Sequence, residues 1–286
     1  MRWFSLLLTL ATAQAGGSAK IESTTLVGQA LVRLYNFDFA GAHGFLDRQI
    51  QEDPQSPLPY SLKGAVYLFS ELDRLKILQM DFFEHDDRLV DRKKLTPDPK
   101  LRSEFFQVID SARQRANARL AGRPDDRDAL FAQCMASGLV TDYAALVERR
   151  RLGSFALAKE TQIWARKLLA LDPPMYDAYV AVGSAEYVIG SLPFFVRWFV
   201  RMDQIEGNKQ RGIEVLQIVA NQGKYYGPFA RVMLSVIHLR EKRPVEAERL
   251  LAGLAEEFPE NPLIKKELVR AREMTSRTTS ARRRKP

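Results

Sequence analysis

The sequence predicts an all-α protein, an α-solenoid in which antiparallel helix pairs stack in chain order. Three observations lead to this prediction. Apolar residues recur with helical spacing along most of the 286-residue chain, and no segment shows a convincing strand pattern. Several of these runs end at a proline, after which a new apolar run soon begins. Finally, 46% of the residues are hydrophobic and 27% are charged, which is enough for a sizeable core or a continuous solenoid.

The helix–proline–helix junction is clearest in ARKLLALDPPMYDAY, residues 165–179. Because a residue that precedes proline avoids the α region, the first helix is expected to end at Asp172. Pro174 suits the first position of the next helix, where no N–H partner is needed. The same kind of junction is predicted at three further prolines, which are Pro54, Pro124 and Pro259.

Periodicity, caps and breakers predict a chain made of helices and short connections. The approximate helix ranges are 22–35, 39–52, 57–79, 101–121, 126–138, 140–151, 154–171, 175–189, 208–221, 228–241, 244–257 and 261–275. The turn-rich KLTPDPK, residues 94–100, is the best internal boundary and separates N-terminal helices in 16–94 from further helical repeats in 95–276. The remaining residues, 277–286, lack large apolar side chains and are predicted to form a disordered basic tail.

Two stretches share a 34-residue spacing of small, large and proline residues. In residues 228–261 this spacing is carried by Leu234, Ser235, Ala247, Leu251, Leu254 and Pro259. In residues 23–56 it is carried by Leu26, Ala30, Ala42, Leu46 and Pro54, and the half unit that follows has Tyr60, Gly64 and Tyr67. The pattern resembles the tetratricopeptide repeat near both ends of the chain and is degenerate in the middle.

The resemblance implies a fold and a general function. Small residues would let paired helices approach closely, and the units would have to stack because no single unit can bury its apolar face. Tetratricopeptide proteins act as adaptors, so the resemblance implies that an extended peptide or a helix binds in the concave groove. That groove would be formed mostly by the first helix of each pair. The partner is therefore expected to be a protein or a peptide.

The chain begins with MRWFSLLLTLATAQAGGSAK. Arg2 precedes an apolar stretch of about eleven residues, which ends in the small-x-small sequence Ala13-Gln14-Ala15. This order is typical of a secretory signal peptide, and the stretch is shorter than the roughly 20 residues of a membrane span. We expect a signal peptide in 1–15, cleavage near Ala15, and an exported protein that is periplasmic or extracellular. An ordinary N-terminal helix or an uncleaved anchor is the alternative.

The positive charge is concentrated in the tail. The chain has a formal net charge of +8, and residues 277–286 contain five basic residues and no acidic residue. Because Arg2 would leave with the signal peptide, the body of the protein is nearly balanced. The tail is a candidate for contact with anionic lipids, with a solvated terminus as the alternative. Nucleic acid is not an expected partner of an exported protein.

No constellation of catalytic residues is visible. The one acidic cluster with a histidine lies in residues 81–91 and comprises Glu84, His85, Asp86, Asp87 and Asp91. These residues lack the helical spacing of metal ligands, so we expect neither a metal nor a cofactor. P-loop, nucleophile-elbow and dinucleotide motifs are absent from the sequence. The single cysteine, Cys134, lies in an apolar helical run and is expected to be a buried structural thiol. The prediction is a protein that is not an enzyme.

The least ordinary stretch is IGSLPFFVRWFVRMDQIEGNKQRG, residues 189–212. A helix that is apolar on most sides is usually buried, but aromatics and arginine also dominate binding hot spots. Residues 192–201 could therefore contact a partner peptide or the surface of a membrane. We expect the partner-binding residues to be Tyr179, Tyr187, Arg197, Trp198, Arg201 and Arg231. The aromatics would bury apolar groups, and the arginines would pair with carboxylates of the ligand.

Two alternatives to an adaptor are left open by the sequence. One is an exported helical hydrolase or lyase that acts on cell-envelope material. It would require acidic residues to meet in one cleft, such as Glu84 and Asp87 with Glu186. The other is a purely structural envelope protein without a specific ligand, which abundance and a lack of partners in solution would distinguish.

Overall fold

The computed structural model describes residues 20–78, 96–192 and 205–283. The described chain is all-α, with eleven α-helices and no strand. The helices are α1 (Leu26–Tyr35), α2 (Phe39–Glu52), α3 (Leu58–Arg74), α4 (Pro99–Gly122), α5 (Arg127–Asp142), α6 (Arg151–Leu169), α7 (Tyr179–Ser191), α8 (Lys209–Gln222), α9 (Gly227–Arg240), α10 (Pro244–Glu257) and α11 (Pro262–Arg283). This confirms the predicted all-α class.

Helices that follow one another in the chain pack against one another. Consecutive pairs such as α1 with α2, α5 with α6, α7 with α8 and α10 with α11 make extensive contacts. This order of packing is consistent with a helical solenoid. The least extensive contact between consecutive helices is that between α6 and α7. This junction therefore divides the described chain into a first half, α1 to α6, and a second half, α7 to α11.

Local sequence signals account for the helix starts. Five helices begin after an aspartate or asparagine side chain that accepts a backbone N–H of the first turn, which is the usual N-cap arrangement. These caps are Asp38 for α2, Asp98 for α4, Asp126 for α5, Asn208 for α8 and Asn261 for α11. Proline stands in the first turn of α3, α4, α9 and α10, where its missing N–H costs nothing.

The middle of the chain differs from the prediction in two places. Pro174 does not open a helix: α6 ends at Leu169, and a short 3₁₀ turn at Tyr176–Ala178 precedes α7. The predicted helix over 140–151 is also absent, because α5 runs on to Asp142 and continues as one π-helical turn, Tyr143–Val147. Burial of Tyr143, whose ring stacks on Phe105 at 4.8 Å, accompanies this turn. Wider turns of this kind are short insertions within helices.

The described residues of the predicted boundary, 96–100, contact α3. Glu71, which is buried in α3, accepts the backbone N–H of Asp98 at 2.9 Å and pairs with Arg74 at 2.7 Å. Arg74 in turn donates to the carbonyl of Thr96 at 2.9 Å. Apolar residues from α3 and α4, on both sides of the connection, belong to one hydrophobic cluster. The connection is therefore held against the body at its described end.

The last helix is longer than the sequence predicts. It continues from Pro262 to Arg283, whereas the prediction ended it at residue 275 and made residues 277–286 a disordered tail. The segment is thus helical as far as Arg283. Extending a helix that is already packed avoids the cost of nucleation, so weak helix formers can follow a packed segment.

The two ends of the described chain meet at Tyr35, the last residue of α1. Its ring lies 5.1 Å from that of Phe258, which follows α10, and its hydroxyl donates to the carbonyl of Tyr225 at 3.1 Å. Asn261 donates from Nδ2 to the carbonyl of Tyr35 at 2.6 Å and also accepts two backbone N–H groups at the start of α11. We call this set the end contact. Through the end contact, the beginning of the helix stack touches its end, so the stack is closed.

Aromatic side chains occupy the inner side of this arrangement. Phe131 of α5 stacks on Tyr225 at 5.2 Å, and Phe69 of α3 meets Phe229 of α9 edge-on at 6.0 Å. Tyr226 lies between them, with its ring 5.5 Å from Phe131 and 6.0 Å from Phe229. We call these five residues the inner aromatic cluster. It joins α3 and α5 of the first half of the chain to the start of α9 in the second half.

One described stretch, Arg127–Val147, is long and apolar enough to cross a membrane by length and composition alone. It comprises α5 and the π-helical turn, and 67% of its most apolar window is buried inside the protein. That burial is what a core helix of a folded domain requires, so its hydrophobicity is explained by packing.

A buried carboxylate fixes the loop that precedes α9. Asp177, which is only 2% exposed, accepts the backbone N–H groups of Lys224, Tyr225 and Tyr226 at 2.7–2.9 Å. Burial raises the pKa of Asp177, while these three hydrogen bonds act in the opposite direction. Asp177 therefore ties the α6–α7 connection to the loop that carries two members of the inner aromatic cluster.

Glycines allow α7 and α8 to approach closely. A Cβ atom added at Gly212 would lie 2.7 Å from the backbone nitrogen of Tyr187 and 2.8 Å from the carbonyl oxygen of Gly183. Gly207, which precedes α8, has φ of +76°, a conformation that favours glycine. The tight pairing of these helices thus depends on residues without side chains.

Removal of the Tyr35 hydroxyl tests the end contact. The Tyr35→Phe variant is expected to lose about 1 kcal/mol of unfolding free energy, because the buried carbonyl of Tyr225 loses its donor. Urea unfolding measures this. In the control, Tyr60→Phe, the carbonyl of Pro54 keeps the donor Arg115, so a change below about 0.5 kcal/mol is expected. Equal effects of the two variants would contradict the end contact.

A glycine pair tests the close approach of α7 and α8. Gly212→Ala is expected to destabilise the protein by about 3 kcal/mol, since backbone atoms rather than flexible side chains surround the new methyl group. Gly44→Ala, in α2, has nothing within 4 Å of the new Cβ and is expected to stabilise by about 0.5 kcal/mol. Thermal or urea unfolding of both variants gives the comparison, and a stabilising Gly212→Ala would refute the packing.

Candidate partner-binding surface

Three of the six residues predicted to bind a partner are described by the structure: Tyr179, Tyr187 and Arg231. The other three, Arg197, Trp198 and Arg201, lie outside the described residues, as do the acidic residues of 81–91 and the apolar start of the chain. The chain leaves α7 at Leu192 and rejoins the described structure at Ile205, which packs on Ile189 of α7. The part of the site that the structure describes therefore lies at the end of α7, the start of α8 and the end of α9.

Tyr187 forms the centre of the described surface. Its ring is 6% exposed, and its hydroxyl donates to Oε1 of Glu241, at the end of α9, at 3.1 Å. Lys209, the first residue of α8, donates to the same oxygen at 2.9 Å, and its ammonium lies 5.9 Å from the Tyr187 ring centroid. Tyr187, Lys209 and Glu241 thus connect three helices. Lys209 and Glu241 keep part of their side chains in solvent.

The charges of this cluster stabilise one another. The hydrogen bond from Lys209 lowers the pKa of Glu241, so the carboxylate is held ionised at neutral pH. Burial, followed by the nearby Glu241 charge, raises the pKa of Tyr187 and keeps its phenol protonated. The hydroxyl is therefore a donor that is already used within the protein, and a ligand would meet the exposed part of Lys209.

Beside this cluster, Glu186 is fully buried. Its Oε2 accepts the backbone N–H groups of Gly207 and Asn208, both at 2.9 Å, at the start of α8. Its Oε1 has no hydrogen-bond partner, but Nε of Arg211 lies 3.8 Å away. Glu186 therefore orients the start of α8 and brings the half-exposed Arg211 to the same end of the molecule. It does not face a described acidic partner.

Arg231 lies in the interior and not on a ligand surface. Its side chain is buried, with 4% of the residue exposed, and pairs with Glu257 of α10. Arg231 joins α9 to α10 close to the end contact, because Arg231 and Glu257 are both electrostatic neighbours of Tyr35. Tyr179, at the other end of α7, is partly buried and stacks on Tyr176 at 6.5 Å. The structure thus does not bring Arg231 and Tyr179 together with Tyr187 at one surface.

The surface also contains an exposed apolar residue. Val188, next to Tyr187 in α7, is 50% exposed. Lys209, Arg211 and Glu241 add charged side chains of both signs from α8 and from the end of α9. We call Tyr187, Val188, Lys209, Arg211 and Glu241 the α7–α9 surface. Sequence reasoning found only Tyr187 of this set, because Lys209 and Glu241 lie far apart in the chain and carry no local motif.

Other reactive groups in the described structure have structural surroundings. Cys134 is buried, and burial raises the pKa of its thiol to about 12, so the thiolate is disfavoured. Within residues 20–78, 96–192 and 205–283, no group of three or more histidine, cysteine or acidic residues is placed to hold a metal ion.

Comparisons with known proteins found no relative of this chain. No protein-family model, curated protein or solved structure matched the chain.

The Glu241 cluster gives a testable pH dependence. Since the folded pKa of Glu241 is lowered from 4.5, its contribution to stability is present above that pH and is lost as the pH falls through the folded value. Glu241→Gln is expected to destabilise the protein by about 0.5 kcal/mol at neutral pH, a small value because the pair is partly exposed. At acid pH, parent and variant should converge in urea unfolding.

The control is a double-mutant cycle with Lys209→Gln. Removing the donor first should shrink the effect of Glu241→Gln, because the interaction that lowers the pKa is then gone. An effect of Glu241→Gln that persists unchanged in this background, or that is equally large at acid pH, would contradict the assigned pairing.

Proposed function

We propose that this protein is an exported, non-catalytic adaptor built from tetratricopeptide-like helix pairs, and that it binds a protein or peptide partner. The observation that carries the proposal is the α7–α9 surface, where the charged pair Lys209 and Glu241 lies close to both ends of segment 193–204 and Val188 of α7 is half-exposed. Residues Arg197, Trp198 and Arg201 belong to that segment.

Burial of the repeat positions supports the tetratricopeptide-like assignment. Eight of the nine small and large residues that carry the spacing in 23–56 and 228–261 are almost fully buried, and the ninth, Leu26, is partly buried. The eight are Ala30, Ala42, Leu46, Leu234, Ser235, Ala247, Leu251 and Leu254. Gly64, in the following half unit, would place a Cβ 2.7 Å from Ile109, so it too marks a close helix crossing. Small residues at helix crossings and large ones between them are the packing that such repeats need.

The site of binding is proposed to be the α7–α9 surface and not the inner side of the curve. The inner aromatic cluster and the end contact fill the inner side, so a ligand there would have to displace Tyr225, Phe131 and their neighbours. The outer end of α7 and α8 requires no such displacement. There, Trp198 and Val188 would bury apolar groups, and Arg201 and Arg211 would pair with carboxylates of the partner.

Export is proposed from the apolar start of the chain. Arg2, the apolar stretch and the Ala13-Gln14-Ala15 sequence fit a secretory signal peptide. An exported protein with one cysteine forms no intramolecular disulfide, so its stability would come from packing. The extensive cores of both halves of the chain agree with that requirement.

Site-specific photocrosslinking tests this proposal. A photoreactive residue at Val188 should form a covalent adduct with a partner in the host envelope, because this position is 50% exposed beside the proposed site. The matched control is Val245 of α10, which is 56% exposed and lies elsewhere. The adduct at Val188 should disappear in the Trp198→Ala, Arg201→Ala double variant, whose folding is checked by circular dichroism.

The outcomes separate the possible functions. An adduct from Val188 alone, lost in the double variant, identifies a specific partner and its site. Equal adducts from Val188 and Val245, or none from either with folded protein, would contradict the adaptor function. An adduct that persists in the double variant would move the site away from Trp198 and Arg201.

A further inference from the structure

A cleft of about 380 Å³ lies beside the end contact, and we call it the seam cleft. This volume lies within the range of about 300–1,000 Å³ that small-molecule sites have. Phe45 of α2 lines the cleft from the first half of the chain, and Glu260 lines it from the connection between α10 and α11. One face of α1 completes the wall, because residues three, four and seven positions after Gln29 share its side of the helix: Val32, Arg33 and Asn36.

Asn36 connects the two sides of the seam cleft. Its Oδ1 accepts the backbone N–H of Glu260 at 3.0 Å, and its Nδ2 donates to the carbonyl of Val32 at 3.0 Å. The preceding residue, Tyr35, is held by Asn261 and by the ring of Phe258. The cleft is therefore formed where the two ends of the described chain meet, and a ligand would occupy space that already exists.

The seam cleft has one positive and one negative side chain. The side chain of Arg33 is 47% exposed, and its Nη1 pairs with Asp38 at 3.3 Å. Because a guanidinium has five N–H donors, this pair leaves donors for a ligand. Glu260 is exposed, and within residues 20–78, 96–192 and 205–283 its carboxylate forms no ion pair. A cation and an anion from opposite ends of the chain therefore line one cleft.

The same cleft has an apolar part. Val32 and Phe45 are both partly buried, so each leaves some apolar surface towards solvent. Phe45 also packs on the core of the first half, which holds its ring in place. Gln29, which is partly buried as well, adds an amide that can donate and accept hydrogen bonds. An apolar wall with a few convergent polar groups is the usual composition of a small-molecule site.

We propose that the seam cleft binds a free α-amino acid with a large apolar side chain. The ligand ammonium donates to the carboxylate of Glu260, and the guanidinium of Arg33 donates to the ligand carboxylate. Hydrogen bonds between ionised groups are stronger than those between neutral groups. The ligand side chain packs on Val32 and Phe45. The site uses other helices than the α7–α9 surface, and the proposal does not depend on the adaptor function.

Binding at this place has a consequence for closure. The ligand would contact α1 and α2 on one side and the connection before α11 on the other, so it adds a link between the two ends of the stack. A ligand that binds only the folded, closed protein stabilises it by mass action. The unfolding midpoint should therefore rise with the concentration of the amino acid.

Titration calorimetry and thermal unfolding of the full chain test the proposal with L-phenylalanine as the probe. Three related compounds each lack one feature of the probe. N-acetyl-L-phenylalanine lacks the ammonium, L-phenylalaninamide lacks the carboxylate, and glycine lacks the apolar side chain. Each of the three is expected to bind at least about tenfold more weakly than phenylalanine, because each loses one of the proposed contacts.

Two variants assign the contacts. Arg33→Gln and Glu260→Gln should each weaken phenylalanine binding about tenfold. Arg33→Gln should leave the binding of L-phenylalaninamide unchanged, because that compound has no carboxylate to lose. The matched controls are Arg102→Gln in α4, where the side chain is 50% exposed and pairs with Glu148 at 3.1 Å, and Glu256→Gln, an exposed position of α10. Both controls should stay within about twofold of the parent.

Three results would overturn the proposal. The first is a folded parent that shows neither heat of binding nor a rise of the unfolding midpoint at about 10 mM phenylalanine. The second is equal binding of phenylalanine and of its acetylated or amidated form, which would mean that the charged ends are not recognised. The third is a loss of binding in the control variants as large as that in Arg33→Gln and Glu260→Gln, which would mean a general effect of charge.

Discussion

The end contact around Tyr35 is the constraint on which the rest of the structure depends. In an open solenoid each helix pair touches only its neighbours, so the inner face stays available. Here Tyr35 packs on Phe258 and donates to Tyr225, so the first helix meets the connection before α9 and the connection after α10. The inner face then becomes a core lined by aromatic rings.

The buried carboxylates follow from the same architecture. Glu71, Asp177 and Glu186 lie in or beside different helices, yet each accepts backbone N–H groups at the start of a later segment. A carboxylate that is buried needs such donors, because an unpaired charge in the interior is costly. Each of the three therefore positions a connection between helices. None of them lies beside a second carboxylate in an arrangement suited to acid–base chemistry within the described residues.

Much of the fold could be predicted from the sequence because helical periodicity, caps and prolines act locally. Asp38, Asp98 and the buried pair Ala247 and Leu251 are examples. The end contact could not be predicted, because Asn261 reaches Tyr35 from 226 positions away and no local pattern records that distance. The burial of Arg231 could not be predicted either. Arginine is usually exposed, and only the fold brings Glu257 to it.

The candidate site illustrates the same limit. Tyr187 was found because aromatic residues near arginines are recognisable in sequence, whereas Lys209 and Glu241 became its neighbours only through the close pairing of α7 and α8 and the packing of α9. The glycines that permit this approach carry no chemistry of their own. Their effect is to bring charged groups from three helices to one end of the molecule.

The contacts between the two halves of the chain fix the position of this end of the molecule. The first and second halves of the chain are joined at the α6–α7 connection, where packing is least extensive, and again through the inner aromatic cluster and the end contact. The proposed α7–α9 surface belongs to the second half. Without the end contact, the inner aromatic cluster would still join the first half to the second. These contacts together therefore govern how a protein partner on α7–α9 would be oriented relative to the first half of the protein.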